Sequence, residues 1–365
     1  MTIKKKLILS FLFSALIPML FVEFLGGYHA KNALEMAQIE KLEAVADLKV
    51  EKIQAIYNGL KTDIQVAQQF FNIKTALPTL TRLRNDPNPP DYITAKKRLD
   101  DQLQTFQKVK GYIDIMLVDT DGMIVYVTNE KHAGKDLDSP LPDPDHKSFE
   151  EGKKGIYFSN IFSNKIEDLP YSMLISAPVK DSQGKIIGVI ALEANMDAVF
   201  RMIQDQTGLG LTGETMIGRI VGETVQLLNP LRHDKDSTIK RNVVMGSERS
   251  IPLQKSALGQ EGSGLAIDYR HEEVIAAWRF IPDFHWGMVA KVDKKEAFDS
   301  VIQLNRRVAI FGGILFIMVI YIAFNIAKSI AQPIMSLQKG TEIVGGGDLD
   351  FRVGTKARDE IGQLS

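Results

Sequence analysis

The chain has 365 residues, about a quarter of them charged, and 44 Lys plus Arg against 45 Asp plus Glu leave a formal net charge of −1. Near-neutrality argues against a nucleic-acid partner, which needs a basic face. No cysteine is present, so disulfides, thiolate metal sites and cysteine nucleophiles are excluded.

Residues 1–6 end in the triplet Lys4, Lys5 and Lys6, and residues 7–27 are apolar with one acidic residue, Glu23. That is the length needed to cross a hydrocarbon core of about 30 Å. Positive charge prefers the cytoplasm, so the N-terminus is expected inside. The stretch exceeds a usual signal core and no small-x-small site follows, so it reads as a retained helix rather than a cleaved leader. Residues 28–307 would then lie outside the cytoplasm. They open with a helix over 30–72, where Leu34, Ile39, Leu42, Val45, Ile53, Ile56, Leu60 and Ile64 recur at helical spacing. The turn-rich NDPNPPD at 85–91 breaks the pattern, and a second helix is expected over about 94–108.

The periodicity then shifts to two. Strands are expected over 112–118 and 123–127, joined by Asp119-Thr120-Asp121-Gly122. A loop over 129–147, rich in Asp and Pro, follows. Strands at 155–162, 172–178 and 186–193 come next, and a helix starts near Asn195. A second copy of the plan has strands at 215–221, 224–228, 264–269, 274–280 and 286–292. A helix over 295–307 leads into the second apolar stretch, 308–327, which has no charged residue. Antiparallel sheets with helices outside them make the fold class α+β.

The catalytic inventory is thin. GLGLTG at 208–213 has the letters of a dinucleotide fingerprint without its βαβ unit. His132, His146, His233, His271 and His285 are scattered without metal-ligand spacing. No catalytic residue, metal or cofactor is expected.

The order of motifs carries a resemblance. A long helix precedes a D-x-D-G hairpin, then SMLISAPVKDSQGKIIGVIAL (172–192) and GLGLTGET (208–215). DYR (268–270) and AAWRFIPDFHWGMVAKVD (276–293) close the module before the second span. Together these resemble a double Cache sensor domain over roughly residues 30–300. The resemblance implies two stacked PAS-like antiparallel sheets beside the long helix, a distal domain at about 110–200 and a proximal one at about 206–297. It also implies a small ligand held between the distal sheet and its covering loops. The candidates there are Tyr126, Asp145, His146, Phe149, Tyr157, Ser159, Tyr171, Met173 and Ser176: aromatic bodies with a few polar groups, of which strand alternation lets only half face inward. Amino-acid-binding members resemble one another in an Arg-x-Trp-Tyr cluster and a later Asp. DPDHKSFEEG (143–152) and YFSNIF (157–162) lack them, which disfavours an α-amino acid ligand. Trp278 and Trp286 are expected in the proximal core.

Residues 328–365 resemble a HAMP relay, on Pro333 with Ile334, the G-G-D-L step at 346–349 and Glu360-Ile361-Gly362, with the second helix cut off at Ser365. The relay residues would be Pro333, Glu360 and Gly362. The resemblances imply a two-pass receptor of the bacterial inner membrane, a homodimer with a small-molecule ligand. Its output would be a histidine kinase first, then a chemoreceptor or a cyclic-di-GMP enzyme, working through a response regulator or chemotaxis proteins. A membrane-anchored extracytoplasmic enzyme is the alternative from another class.

Overall fold

The computed structural model describes residues 3–163, 171–235, 237–348 and 350. They form two compact units, one over Gln38–Glu296 and one from Met1–Ala37 with Ala297–Ser365. The first helix, α1, runs through Ile3–Ala67 with Pro18 inside it, and the last, α8, through Lys294–Gly345 with Pro333 inside it. Both are long and apolar enough to cross a membrane. The relay's expected second helix, with Glu360 and Gly362, lies outside the described residues. Pro333 sits in the interior of α8 and not near the start of a separate helix.

In the unit over Gln38–Glu296, α1 is followed by α2 (Phe71–Arg82) and α3 (Pro90–Lys110). Proline is tolerated at the first helical position, and Gly111, at φ 75, closes α3 in the left-handed region. The expected helix over 30–72 thus ends at Ala67, five residues early, and a new helix starts after Phe70. The distal sheet holds β1 (Asp114–Val118), β2 (Ile124–Val127), β3 (Tyr157–Phe158), β4 (Ser172–Lys180) and β5 (Ile186–Asn195), in the antiparallel order β2-β1-β5-β4-β3. Asp119 makes the hairpin: its Oδ1 accepts from the Asp121 and Met123 amides at 2.9 and 3.0 Å, and Gly122 supplies φ 89. Two short helices, α4 (Glu130–Asp136) and α5 (Lys147–Lys154), occupy much of what the composition reads as one loop. Asn129 caps α4 by accepting from the Lys131 amide, and Asp143 caps α5 by accepting from the Lys147 and Ser148 amides at 2.8 and 3.0 Å.

Helix α6 (Asp197–Gln204) leads to the proximal sheet, β6 (Glu214–Val221), β7 (Thr224–Leu227), β8 (Asn242–Val244), β9 (Gly262–Ile267), β10 (Glu273–Ile281) and β11 (Trp286–Asp293). Its antiparallel order is β8-β7-β6-β11-β10-β9, and α7 (Ile251–Ala257) covers one face. β8 and α7 carry too little periodicity to be read from sequence.

Helix α1 packs Ile64 and Ala67 into the distal core and is tied by polar contacts to the proximal sheet and to α6. Asp47 accepts from Arg279 Nε at 2.5 Å and Glu43 from Ser263 at 2.7 Å. Lys49, 5% exposed, sends Nζ to the carbonyls of Ile203 and Asp205 at 2.5 and 2.8 Å, closing the C-terminus of α6. Burial, opposed by Asp205 and reinforced by Lys52, brings the Lys49 pKa down to about 8.

GLGLTGET is a clamp on the start of α8. Glu296 accepts from the Leu211 and Thr212 amides at 2.6 and 2.7 Å and from the Thr212 hydroxyl. A Cβ on Gly210, at φ 71, would meet Glu296 Oε1 at 2.3 Å, so glycine is needed there. Burial pushes the Glu296 carboxyl up, but these three donors win and hold it below its ordinary value. Glu296→Ala leaves the donors without their acceptor. Allowing for the partial exposure, the expected cost is about 1–2 kcal/mol, read as a lower melting temperature of the detergent-solubilised chain. An unchanged midpoint contradicts the clamp.

Candidate functional site

The distal sheet has two different faces. Ile115, Leu117, Val125, Tyr126, Ile175, Ala177, Val179, Ile190, Leu192 and Ala194 pack on the α1–α3 side. Met116, Val118, Ile124, Val127, Leu174, Val189 and Ala191 form the other face, joined by Leu141, Phe162 and Phe149 from the covering segments. Alternation puts Asp114, Ser172, Ser176 and Glu193 on this covered face, and Tyr157 too, since it pairs with Ser176. The apolar residues among them hold the cover in place, and the polar ones lie buried beneath it.

Three carboxylates converge there on one imidazole. His132 on α4 is fully buried, with Nδ1 2.9 Å from Asp114 Oδ2, 3.6 Å from Asp136 Oδ2 and 3.9 Å from Glu193 Oε2. A carboxylate can only accept, so the proton of this bond sits on Nδ1. Asp114 Oδ1 is engaged by the Thr128 amide and hydroxyl at 2.9 and 2.8 Å and by the Asn129 amide at 3.0 Å, which fixes the acid and through it the ring. Burial pulls the His132 pKa down. The Asp114 hydrogen bond and the charges of Asp114, Glu193 and Asp136 outweigh it, so the net shift is upward. Asp136 is itself raised, first by burial and also by Asp114, against the lowering effect of His132.

A second acidic pair lies under the cover. Asp143 is pushed up, chiefly by burial with Asp145 adding to it, while the hydrogen bond from the Ser148 amide opposes the shift. Asp145 Oδ2 accepts from Asn160 Nδ2 at 2.8 Å. Among the described residues, His132 Nε2, Asp143 Oδ1, Asp145 Oδ1, Ser148 Oγ and Ser172 Oγ are buried side-chain atoms with no hydrogen-bond partner in the protein. Such atoms are costly to leave alone, and here they gather on one face of one sheet.

The nine sequence candidates divide accordingly. Asp145, Phe149, Tyr157 and Ser176 belong to the covered side, and His146 sits at the start of α5 at φ 50. Ser176 Oγ donates to the Ser148 carbonyl at 2.7 Å. Phe149 lies against Gly122, where a Cβ would meet its ring at 3.1 Å. Tyr157 is pushed up first by burial and then by Asp145 and Asp143. Tyr126 and Met173 lie on the opposite face, and the Tyr126 hydroxyl donates to Asp100 at 3.0 Å. Ser159 Oγ is committed to backbone, accepting from the Leu174 amide at 2.9 Å and donating to the Asn160 carbonyl. Tyr171 stands at the end of β4 against Phe200, ring centroids 5.5 Å apart. Asp114, His132, Asp136, Ser172 and Glu193 were not singled out from sequence. The available signal was an Asp and a Glu on the same strand parity as apolar core residues.

Residues 30–301 match the dCache_1 family, described as a Cache domain. The chain belongs to the Cache domain family. This Cache chain is 21% identical over 319 residues to the methyl-accepting chemotaxis protein McpC of Bacillus subtilis (strain 168), covering 86% of this chain and 44% of that protein. It therefore spans less than half the length of that curated relative. It is also similar to the sensory domain of the Campylobacter jejuni chemoreceptor Tlp3 (CcmL) with isoleucine bound. That likeness has a TM-score of 0.51 and 11% identity over 73% of this chain and 97% of the other. The V. cholerae histidine kinase DctB sensor domain is similar at 12% identity and TM-score 0.49, over 73% of this chain and 99% of the other. The Tlp3 likeness shows the fold alone. The family and fold bear out the double-sheet sensor architecture read from the motifs.

The charges around His132 give a pH dependence with a definite sign. Its folded pKa lies above the unfolded value of about 6.5. Its stabilisation is therefore fully present below that value and fades as pH rises through the folded pKa. The melting-temperature gap between the wild-type chain and His132→Gln should be wider at pH 6 than at pH 9. A gap that is equal or wider at pH 9 contradicts the assignment.

Proposed function

We propose that this chain is the sensory and membrane part of a two-pass bacterial receptor, with residues 28–307 outside the cytoplasm. It binds a small ligand carrying a protonated amine on the covered face of the distal Cache sheet. The observation that carries this reading is the group of buried, partnerless polar atoms on that face, set among Asp114, Asp136, Asp143, Asp145 and Glu193 with one imidazole. Among the described residues, buried carboxylates outnumber buried cations on that face, which favours a positively charged ligand group. This reading leaves room for an amino acid, since Glu193 offers a carboxylate to the amine even though no Arg-x-Trp-Tyr cluster is present.

Binding would favour one arrangement of the distal and proximal sheets, and the Glu296 clamp would pass it to α8, the second span and a HAMP relay through Pro333, Glu360 and Gly362. The chain would act as a homodimer. The match to a methyl-accepting chemotaxis protein, which is more than twice as long as its matched part, favours a chemotaxis-type output over the histidine kinase that ranks first on sequence. A thermal-shift screen of the detergent-solubilised chain tests the ligand class. Amines or amino acids should raise the melting temperature with dose while straight-chain aliphatic carboxylates of the same size, which have neither an amine nor a flat ring, do not, because only a ligand of the folded state shifts the midpoint. A shift with the acids alone would sink the proposal.

A further inference from the structure

The two Cache sheets meet at a cleft that adjoins the distal site through Asn160. It encloses about 530 Å³ and is walled by Phe158 and Asn160 on the distal side and by Arg219, Phe280, His285 and Trp286 on the proximal side. That volume is within the range of small-molecule sites. One wall is a stack of rings contributed by three parts of the chain. Tyr57 of α1 lies 4.5 Å from Phe158 and 5.0 Å edge-on to Phe284, and Phe284 is stacked 4.3 Å from Trp286. Arg219 supplies the cation. Its Nη2 and Nε donate to the Gln226 side-chain oxygen at 3.1 and 3.4 Å. Burial lowers its pKa, while Asp145 and Tyr157 of the distal half oppose that shift. The rim also carries a carboxylate, Asp283, which is held toward α1 by a hydrogen bond from Gln54 Nε2 at 2.5 Å.

We propose that this inter-sheet cleft is a second ligand site, taking a small carboxylate with a flat apolar body. The planar guanidinium presents paired donors that match a carboxylate, and Gln226 occupies only part of that fork. The ring wall offers a face on which a flat body stacks. A ligand held there touches β3 of one sheet and β6 of the other at once, so its binding bears on the relative position of the two sheets.

The test uses the full detergent-solubilised chain and 3-phenylpropionate and benzoate as probes. The chain has two tryptophans, so Trp278→Phe leaves Trp286 as the sole reporter, and calorimetry on the unaltered chain reads the same affinity without a substitution. At least one probe should give a saturable change in Trp286 emission, and its neutral amide should not. Arg219→Gln should weaken binding by at least about tenfold, the loss expected for a charge-assisted pair. Glu193→Gln, which alters the distal site, should leave this binding unchanged. The proposal is overturned if neither probe saturates by about 10 mM, a floor below any specific site of this size. It is equally overturned if the amide or Arg219→Gln binds as well as the acid and the wild-type chain.

Discussion

Replacing Lys291 by Met will lower the stability of the Gln38–Glu296 unit by about 3–5 kcal/mol, the penalty of removing one partner from a buried ion network. Lys291 lies on β11 with 1% of its surface exposed. Its ammonium is 2.7 Å from Glu214 Oε1, pairs directly with Asp268, and sits 4.7 Å from the centre of the Tyr269 ring. Arg270 joins from the next turn, donating Nε to Asp268 at 2.7 Å and pairing with Asp293. Burial alone would push the Asp268 carboxyl up, but the Lys291 and Arg270 bonds prevail and hold it below its ordinary value. Methionine fills the same volume without charge, so Asp268 keeps Arg270 while Glu214 is left as a buried anion. At roughly 2–4 °C per kcal/mol for a unit of this size, the melting midpoint should fall by roughly 6–20 °C. Adding Glu214→Gln to Lys291→Met should restore part of the loss, because the orphaned charge is then gone. A midpoint within about 2 °C of wild type would mean that the network is solvated and stabilises little.

Glu193→Gln will weaken the distal ligand by roughly 10- to 100-fold, or about 1.4–2.8 kcal/mol, with little change in fold. Glu193 is fully buried on β5, paired in register with Asp114 on β1 and Leu174 on β4. Glutamine keeps the shape and removes the charge that a protonated amine would seek. The variant is read by titrating the ligand found in the thermal-shift screen. Equal affinity for both chains would move the amine contact elsewhere, to the Asp143 and Asp145 pair under the cover. A proportional loss for a neutral amide analogue of the ligand would likewise argue against a charge contact.

Much of this architecture was legible in the residues. Period-two runs located nearly every long strand to within two or three residues, because each is bounded by turn chemistry such as Asp119–Gly122. The two apolar helices follow from length and charge alone. The site was legible only in part. The sequence offered nine candidates of which only half could face inward; Asp145, Phe149, Tyr157 and Ser176 lie on the covered side and Tyr126 and Met173 on the other, a division that depends on register. The irregular pairing between Leu117 and Val118 turns Tyr126 toward α3, where Asp100 receives its hydroxyl. Asp114, His132 and Glu193 come from three separate elements and meet only when β1 pairs β5 and α4 folds over them. Taken singly, His132 looks like one of several scattered histidines. Lys291 was hidden for a related reason: a lysine two residues before the aspartate that ends its strand reads as solvent-facing until Glu214 and Asp268 are brought beside it.

The most direct test of the sensor reading is amide hydrogen exchange of the full chain with and without a ligand from the amine screen. The account predicts slowed exchange in α4, in α5 with its preceding loop, and along β4 and β5 from Ser172 to Glu193, with a smaller change at Leu211 and Thr212 where Glu296 holds the start of α8. Protection confined to the proximal sheet, or none at saturating ligand, would contradict a distal binding site.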